Sequence, residues 1–118
     1  MILVTGAAGF VGRQVVAELV RQGREVRAMV HRRKTADGLE QPGVEVVEGD
    51  VRDAASLLAA CGGAERVIHS VAVAYESPGA TYETVNVIGT RNVVTAASLV
   101  GVRRFIFVSA LGASATTH

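Results

Sequence analysis

The sequence predicts an α/β protein with a doubly wound parallel sheet, its five strands in the order 3-2-1-4-5. Three observations carry that expectation. Apolar runs of strand length alternate with helical apolar patterns along the chain, and no repeat or low-complexity linker interrupts them. Of the 118 residues 49% are hydrophobic and only 4% aromatic, so the core is Val, Ala, Leu and Ile, which suits parallel strands covered on both faces. Glycines and polar caps fall where one pattern changes into the next. Such alternation calls for right-handed crossovers between parallel strands. The length is enough for a single domain, 1–118, with a real core.

The first strand is the apolar run Ile2, Leu3, Val4, which ends in Gly6, Gly9 and Gly12. In the helix that follows, Val11, Val15, Val16, Leu19 and Val20 form one stripe, Gln14, Glu18 and Arg21 the opposite one, and Gly23 a stop. Residues 25–30 read as the second strand, Val26, Ala28 and Val30 alternating with Arg27 and Met29. Residues 31–43 are polar, broken by Gly38, Pro42 and Gly43, and read as a loop with room for one helical turn. Residues 44–47 form the third strand, closed by Gly49 and Asp50. Asp53 is placed to cap a short helix through Leu57, Leu58 and Cys61, which Gly62 and Gly63 end. The fourth strand covers 66–71, a loop with Pro78 and Gly79 follows, and a long helix runs over 81–99. The fifth strand covers 104–109, and the small, polar stretch 110–118 is expected to be poorly ordered.

The chemical signal lies in the glycines after the first strand. Strand, glycine turn, helix is the arrangement that cradles a dinucleotide pyrophosphate. Gly6 lets the chain turn sharply, Gly9 lets the backbone approach phosphate oxygens, and Gly12 lets the helix pack closely. Unpaired N–H groups at the helix start then favour an anion. An acid near the end of the second strand would bind ribose hydroxyls and mark NAD. The residue twenty beyond Gly12 is instead Arg32, followed by Arg33 and Lys34, and no Asp or Glu occurs between Val26 and Ala36. A guanidinium meets a 2′-phosphate bidentately, so NADP is expected over NAD, with Arg32 leading and Arg33 in support. A solvated basic loop is the plainer alternative. Asp50, at the carboxyl edge of the sheet, is placed to accept from the adenine amino group, and Ala72 is small enough for ribose to come close.

Other classes find little support. The net charge of +1 gives no argument for nucleic acid or an anionic membrane. No stretch approaches the ~20 apolar residues of a membrane span. The apolar start lacks the charged n-region of a signal peptide, so a cytoplasmic location is expected. Cys61 is the one cysteine, and His31, His69 and His118 have no ligand spacing, so no metal site is expected. His69 reads as a packed core histidine.

Four segments together resemble the extended and atypical short-chain dehydrogenases/reductases, a group with NAD(P)-dependent sugar epimerases and dehydratases and NmrA-like proteins. They are Thr5-Gly-Ala-Ala-Gly-Phe-Val-Gly12, Gly49-Asp50-Val51-Arg52-Asp53, Val85-Asn86-Val87-Ile88-Gly89-Thr90, and the run from Gly101 to Ser109. The resemblance covers essentially the whole chain. It implies a Rossmann fold with the pyrophosphate on Gly6, Ala8, Gly9, Phe10, Val11 and Gly12. It places adenine near Asp50 and Val51, and ribose near Ala72, Val73 and Ala74. Asn86 matches the helix asparagine that organises the nicotinamide side. Ser109 lies close to the family's catalytic serine, with Ala110 where a second serine is usual.

The family's tyrosine with a lysine four residues on is missing: Tyr75 is followed at that spacing by Gly79 and Tyr82 by Asn86, and the one lysine is Lys34. The resemblance thus implies the nucleotide-binding part, truncated at its C-terminus, of an NADP-preferring oxidoreductase, epimerase or dehydratase. Its small-molecule substrate would carry a carbonyl or alcohol carbon. The alternative is an NmrA-like redox sensor or scaffold that binds NADP without turnover. With the fifth strand at a sheet edge, the apolar run 105–108 is expected to pair with a second copy of the chain as a homodimer.

Overall fold

The computed structural model describes residues 1–70 and 81–108. Its strands are β1 (Ile2–Val4), β2 (Val26–Val30), β3 (Val44–Glu48), β4 (Arg66–His69) and β5 (Arg104–Phe107). They form one parallel sheet in the order β3-β2-β1-β4-β5. Helices α1 (Phe10–Arg21), α2 (Ala54–Cys61) and α3 (Gly89–Leu99) lie between strands in sequence, as crossovers require. The predicted order and the parallel pairing are both present.

The two faces of the sheet bury different sets. Ile2, Val4, Val26, Ala28 and Val30 pack with Ala7 and Val16 on the α1 side. Leu3, Met29 and Val67 pack with Leu57, Cys61, Val93 and Ala97 on the side of α2 and α3. This accounts for the second strand, where Met29 is as buried as its neighbours. The alternation is genuine, but both faces are covered, so it does not separate inside from outside. Arg27 lies in the same strand; its guanidinium donates to the Ala60 and Gly62 carbonyls at 2.7 Å, satisfying the end of α2, and to Glu45 at 2.9 Å. Each fully buried Leu, Val or Met contributes roughly 1.5–3 kcal/mol, so these two layers hold the sheet.

Several boundaries differ from the sequence expectation. Val11 is 44% exposed and lies off the buried stripe. A single 3₁₀ turn, Arg33–Thr35, fills the space left for a helical turn. β4 ends at His69 and β5 at Phe107, although the Val108 N–H still donates to the His69 carbonyl at 2.9 Å. The helix expected over 81–99 opens with a π-helical segment, Tyr82–Ile88, capped reciprocally by Thr81 and Thr84. Over seven residues apolar spacing cannot distinguish such a stretch from an α-helix, since the two differ by one residue in the span of each hydrogen bond. Asp53 caps α2 as expected, accepting from the N–H groups of Ala55 and Ser56. The tail 110–118 falls outside the described residues.

Candidate functional site

The carboxyl ends of the strands open into a groove of about 370 Å³, at the β1–β4 junction where the strand order reverses. Its floor is the glycine turn. Gly6 has φ +61, a left-handed conformation that disfavours side chains, and a Cβ there would sit 3.1 Å from Ser70 atoms. Gly12 is tighter: a Cβ would overlap the Gly6 carbonyl oxygen and lie 2.8 Å from Ala7 Cα. Gly12 therefore serves the turn itself, where the sequence suggested close packing on the sheet. Gly9 is less crowded: a Cβ there would meet only the Gly6 oxygen, at a close 3.3 Å. No side chain caps α1 and its first turn holds no acid. The first backbone bond, Arg13 N–H to the Gly9 carbonyl, is 2.9 Å. The Phe10, Val11 and Gly12 amides stay available to an anion, whereas those of Ala7 and Gly9 donate to the Met29 and Gly6 carbonyls at 3.1 and 3.0 Å.

The rim is polar and charged. His31, directly after β2, and Asp50, Val51 and Arg52, after β3, line the groove with Thr35, Ser70 and Val85. Arg52 grips the Asp50 carboxylate with Nε at 3.0 Å and Nη2 at 2.8 Å, and its backbone N–H donates at 2.9 Å. His31 Nε2 lies 3.3 Å from the same group. The hydrogen bond from Arg52 is the main reason that the Asp50 carboxyl titrates at about 2. Three N–H groups of Arg52 already donate to the Asp50 carboxylate, so an adenine amino group would have to share it with them. Arg13 joins the two sides of the site: its guanidinium donates to the Ala8 carbonyl at 3.0 Å and to the Thr35 carbonyl at 2.6 Å.

Beneath the turn lies a buried network. His69, fully buried, bonds Thr5 Oγ1 through Nδ1 at 2.8 Å and Thr90 Oγ1 through Nε2 at 3.1 Å. The Ser70 N–H donates to Thr5 Oγ1 at 3.1 Å, and the Ser70 hydroxyl to the Thr5 carbonyl at 2.6 Å. The turn, the end of β4 and α3 are thereby tied together. Burial lowers the His69 pKa to about 4. His69 is thus the packed core histidine that the sequence suggested, with a further task in holding the turn.

Of the residues singled out in the sequence, Gly6, Ala8, Gly9, Asp50 and Val51 line the groove, and Gly12 is buried behind it. The side chains of Phe10, 83% exposed, and Val11 lie on a shallow apolar patch of α1 with Val15 and Leu19, while their backbone N–H groups are at the start of the helix. Arg32 is exposed and is not among the lining residues. Arg33 donates from Nη2 to the Val46 carbonyl at 3.2 Å and lies 3.7 Å from Glu40. Asn86 is half-buried in the π-helical segment beside Val85. Ala72, Val73, Ala74 and Ser109 lie outside the described residues. Sequence reasoning did not single out His31, Thr35, Arg52, Ser70 or Arg13 for the site. Ser70 had a usable signal, since it follows a strand flanking the switch point.

A glycine turn under an uncapped helix, at the switch point of a parallel sheet, defines a dinucleotide-binding α/β domain. The chain matches the model of the NAD(P)H-binding family over residues 6–118. It belongs to that family, within the extended short-chain dehydrogenase/reductase superfamily. It is 41% identical to cinnamoyl-CoA reductase 1 of Oryza sativa subsp. japonica, over 96% of this chain and 35% of that protein. It is 34% identical to the 3 beta-hydroxysteroid dehydrogenase/Delta 5-->4-isomerase of Mycobacterium tuberculosis, over 92% of this chain and 31% of that protein. A crystal structure of a short-chain dehydrogenase/reductase superfamily protein from Agrobacterium tumefaciens with bound NAD superposes with a TM-score of 0.79. That match is at 44% identity, covering 93% of this chain and 32% of the other. The chain thus spans about a third of the length of the relatives it matches.

No helix among the described residues is long and apolar enough to cross a membrane.

Proposed function

We propose that this domain is the nucleotide-binding part of an NADP-preferring oxidoreductase, epimerase or dehydratase acting on a small molecule with a carbonyl or alcohol carbon. The observation that carries the cofactor preference is the end of β2. His31, Arg32 and Arg33 follow β2 with no acid among them; across the groove Asp50 is already gripped by Arg52, and Glu48 at the end of β3 accepts from the Arg33 N–H at 2.8 Å. A ribose 2′-hydroxyl finds no unengaged acid on this rim, while a 2′-phosphate finds cations. The turn itself suits a pyrophosphate, since Gly6, Ala8 and Gly9 line the groove with no side chain larger than a methyl group. Gly6, Ala8 and Gly9 would hold the cofactor, which supplies the hydride-transfer chemistry. Asn86 and Ser109 are the residues proposed for the nicotinamide side. We place the domain in the cytoplasm, in keeping with a single buried cysteine that has no disulfide partner.

Parallel titrations with NADPH and NADH test this. NADPH should bind more tightly, and Arg32→Ala or His31→Ala should erase part of the difference. Loss of one charged contact costs roughly 1.5–3 kcal/mol. Retained preference in Arg32→Ala with loss in His31→Ala would move the phosphate contact to the residue that lines the groove. Equal affinities for the two cofactors in the wild type would overturn the preference.

Association is the second expectation. Among the described residues β5 is the last strand in the sheet order, and Ile106 and Phe107 are 41% and 52% exposed. An apolar edge is a template for strand pairing, and we propose a second copy of this chain as the partner. Light scattering of the 118-residue polypeptide should show a dimer or larger species, which Phe107→Lys reduces. A monomer at high concentration would refute it.

A further inference from the structure

A second concavity lies at the opposite end of the sheet, where β4 and β5 begin. This cleft of about 240 Å³ is lined by Glu65, Arg66, Arg103 and Arg104. Parallel register puts Arg66 and Arg104 side by side as the first residues of their strands. The N–H groups of Arg103 and Arg104 both donate to the Glu65 carbonyl, at 2.8 and 3.3 Å. Backbone bonds therefore bring the three arginines together, with no help from their side chains. Among the described residues none of the three guanidinium groups makes an ion pair. Like charges opposite one another on neighbouring strands repel. One carboxylate in the cleft, that of Glu65, cannot neutralise three cations.

We propose that this cleft binds a phosphate-type dianion, at a site separate from the cofactor groove. Three planar forks around one small concavity match the oxygens of a tetrahedral oxyanion, and such charge-assisted bonds are the strong ones. The same anion relieves the repulsion between Arg66 and Arg104, so binding also stabilises the start of both strands. A groove for an acidic peptide would need donors spread along a track, whereas these arginines line one small cleft.

The test is calorimetric titration of the full 118-residue chain with inorganic phosphate, and in parallel with glycerol 3-phosphate, both under saturating NADPH. Saturable one-site binding is expected, with amide shifts at residues 66, 103 and 104 in nuclear magnetic resonance spectra. Tighter binding of the ester assigns the cleft to a phosphorylated metabolite; equal affinity assigns it to the free ion. Arg66→Gln and the double variant Arg66→Gln/Arg104→Gln should lower affinity by roughly tenfold or more and leave NADPH affinity unchanged. Both variants should be at least as stable as the wild type without phosphate, because a repulsion is removed, so lost binding cannot be blamed on unfolding. Failure to saturate, undiminished binding in the double variant, or exclusion by NADPH would overturn the proposal.

Discussion

Gly12→Ala should abolish NADPH binding and destabilise the domain by roughly 3 kcal/mol or more. Two effects oppose each other at this position. Alanine in a helix is favoured over glycine by about 1 kcal/mol, and Gly12 lies in the first turn of α1. Against that, its Cβ would overlap the Gly6 carbonyl oxygen and crowd Ala7 Cα at 2.8 Å. Both are backbone atoms of a turn that cannot retreat. Gly6 is held at φ +61 with Ser70 close behind it, and Ala7 is fully buried. The clash therefore wins, and relief requires moving the loop that carries the anion-binding amides. Urea unfolding and NADPH titration measure the two consequences. Gly9→Ala is the comparison: its Cβ meets only the Gly6 oxygen at 3.3 Å, so its stability cost should be far smaller. Wild-type stability in Gly12→Ala would refute the account.

The second large effect is on acid stability. The His69 pKa is lowered to about 4 in the folded chain, against 6.5 for an unperturbed histidine, because burial disfavours the imidazolium. Between those values the unfolded chain binds a proton that the folded chain refuses, so unfolding is favoured as pH falls. The stability is complete above pH 6.5 and is lost progressively down to about pH 4, by about 3 kcal/mol. Asp50 acts in a lower window: its carboxyl titrates at about 2 instead of 3.8, so its contribution is present above 3.8 and is lost as pH falls towards 2. Urea midpoints at pH 7 and pH 4.5 should therefore differ for the wild type. His69→Gln keeps a donor and an acceptor for Thr5 and Thr90 but cannot titrate, and should flatten much of that difference. An unchanged pH dependence in His69→Gln would mean that other groups carry it.

How much of this was legible in advance can be followed residue by residue. The sheet order and the glycine turn were, since strand and helix periods are local properties and a left-handed turn such as Gly6 selects glycine wherever it occurs. The Asp53 cap was legible for the same reason: a cap bonds to residues two and three positions on. The π-helical segment ahead of α3 was not, because over seven residues its apolar spacing resembles that of an α-helix.

The side of the groove was less legible. Counting twenty residues from Gly12 pointed to Arg32, yet the structure lines the groove with His31 and sets Arg52 on Asp50. Spacing tells where a strand ends, but the direction of each side chain past that end depends on the loop it enters.

The sequence by itself therefore determined the sheet, its order and the place of the turn, because those follow from backbone preferences and from burial patterns within short windows. Only the tertiary structure decided that Gly12 is needed by the carbonyl of Gly6. The same holds for Gly89, which gives way to Val51, where a Cβ would lie 2.7 Å from a methyl group, and for Asn92, which donates to the Val51 carbonyl at 2.9 Å. His69 joins Thr5 to Thr90 across 64 and 21 positions of chain. Contacts between residues so far apart are set by how the layers pack, and no periodicity along the chain records them.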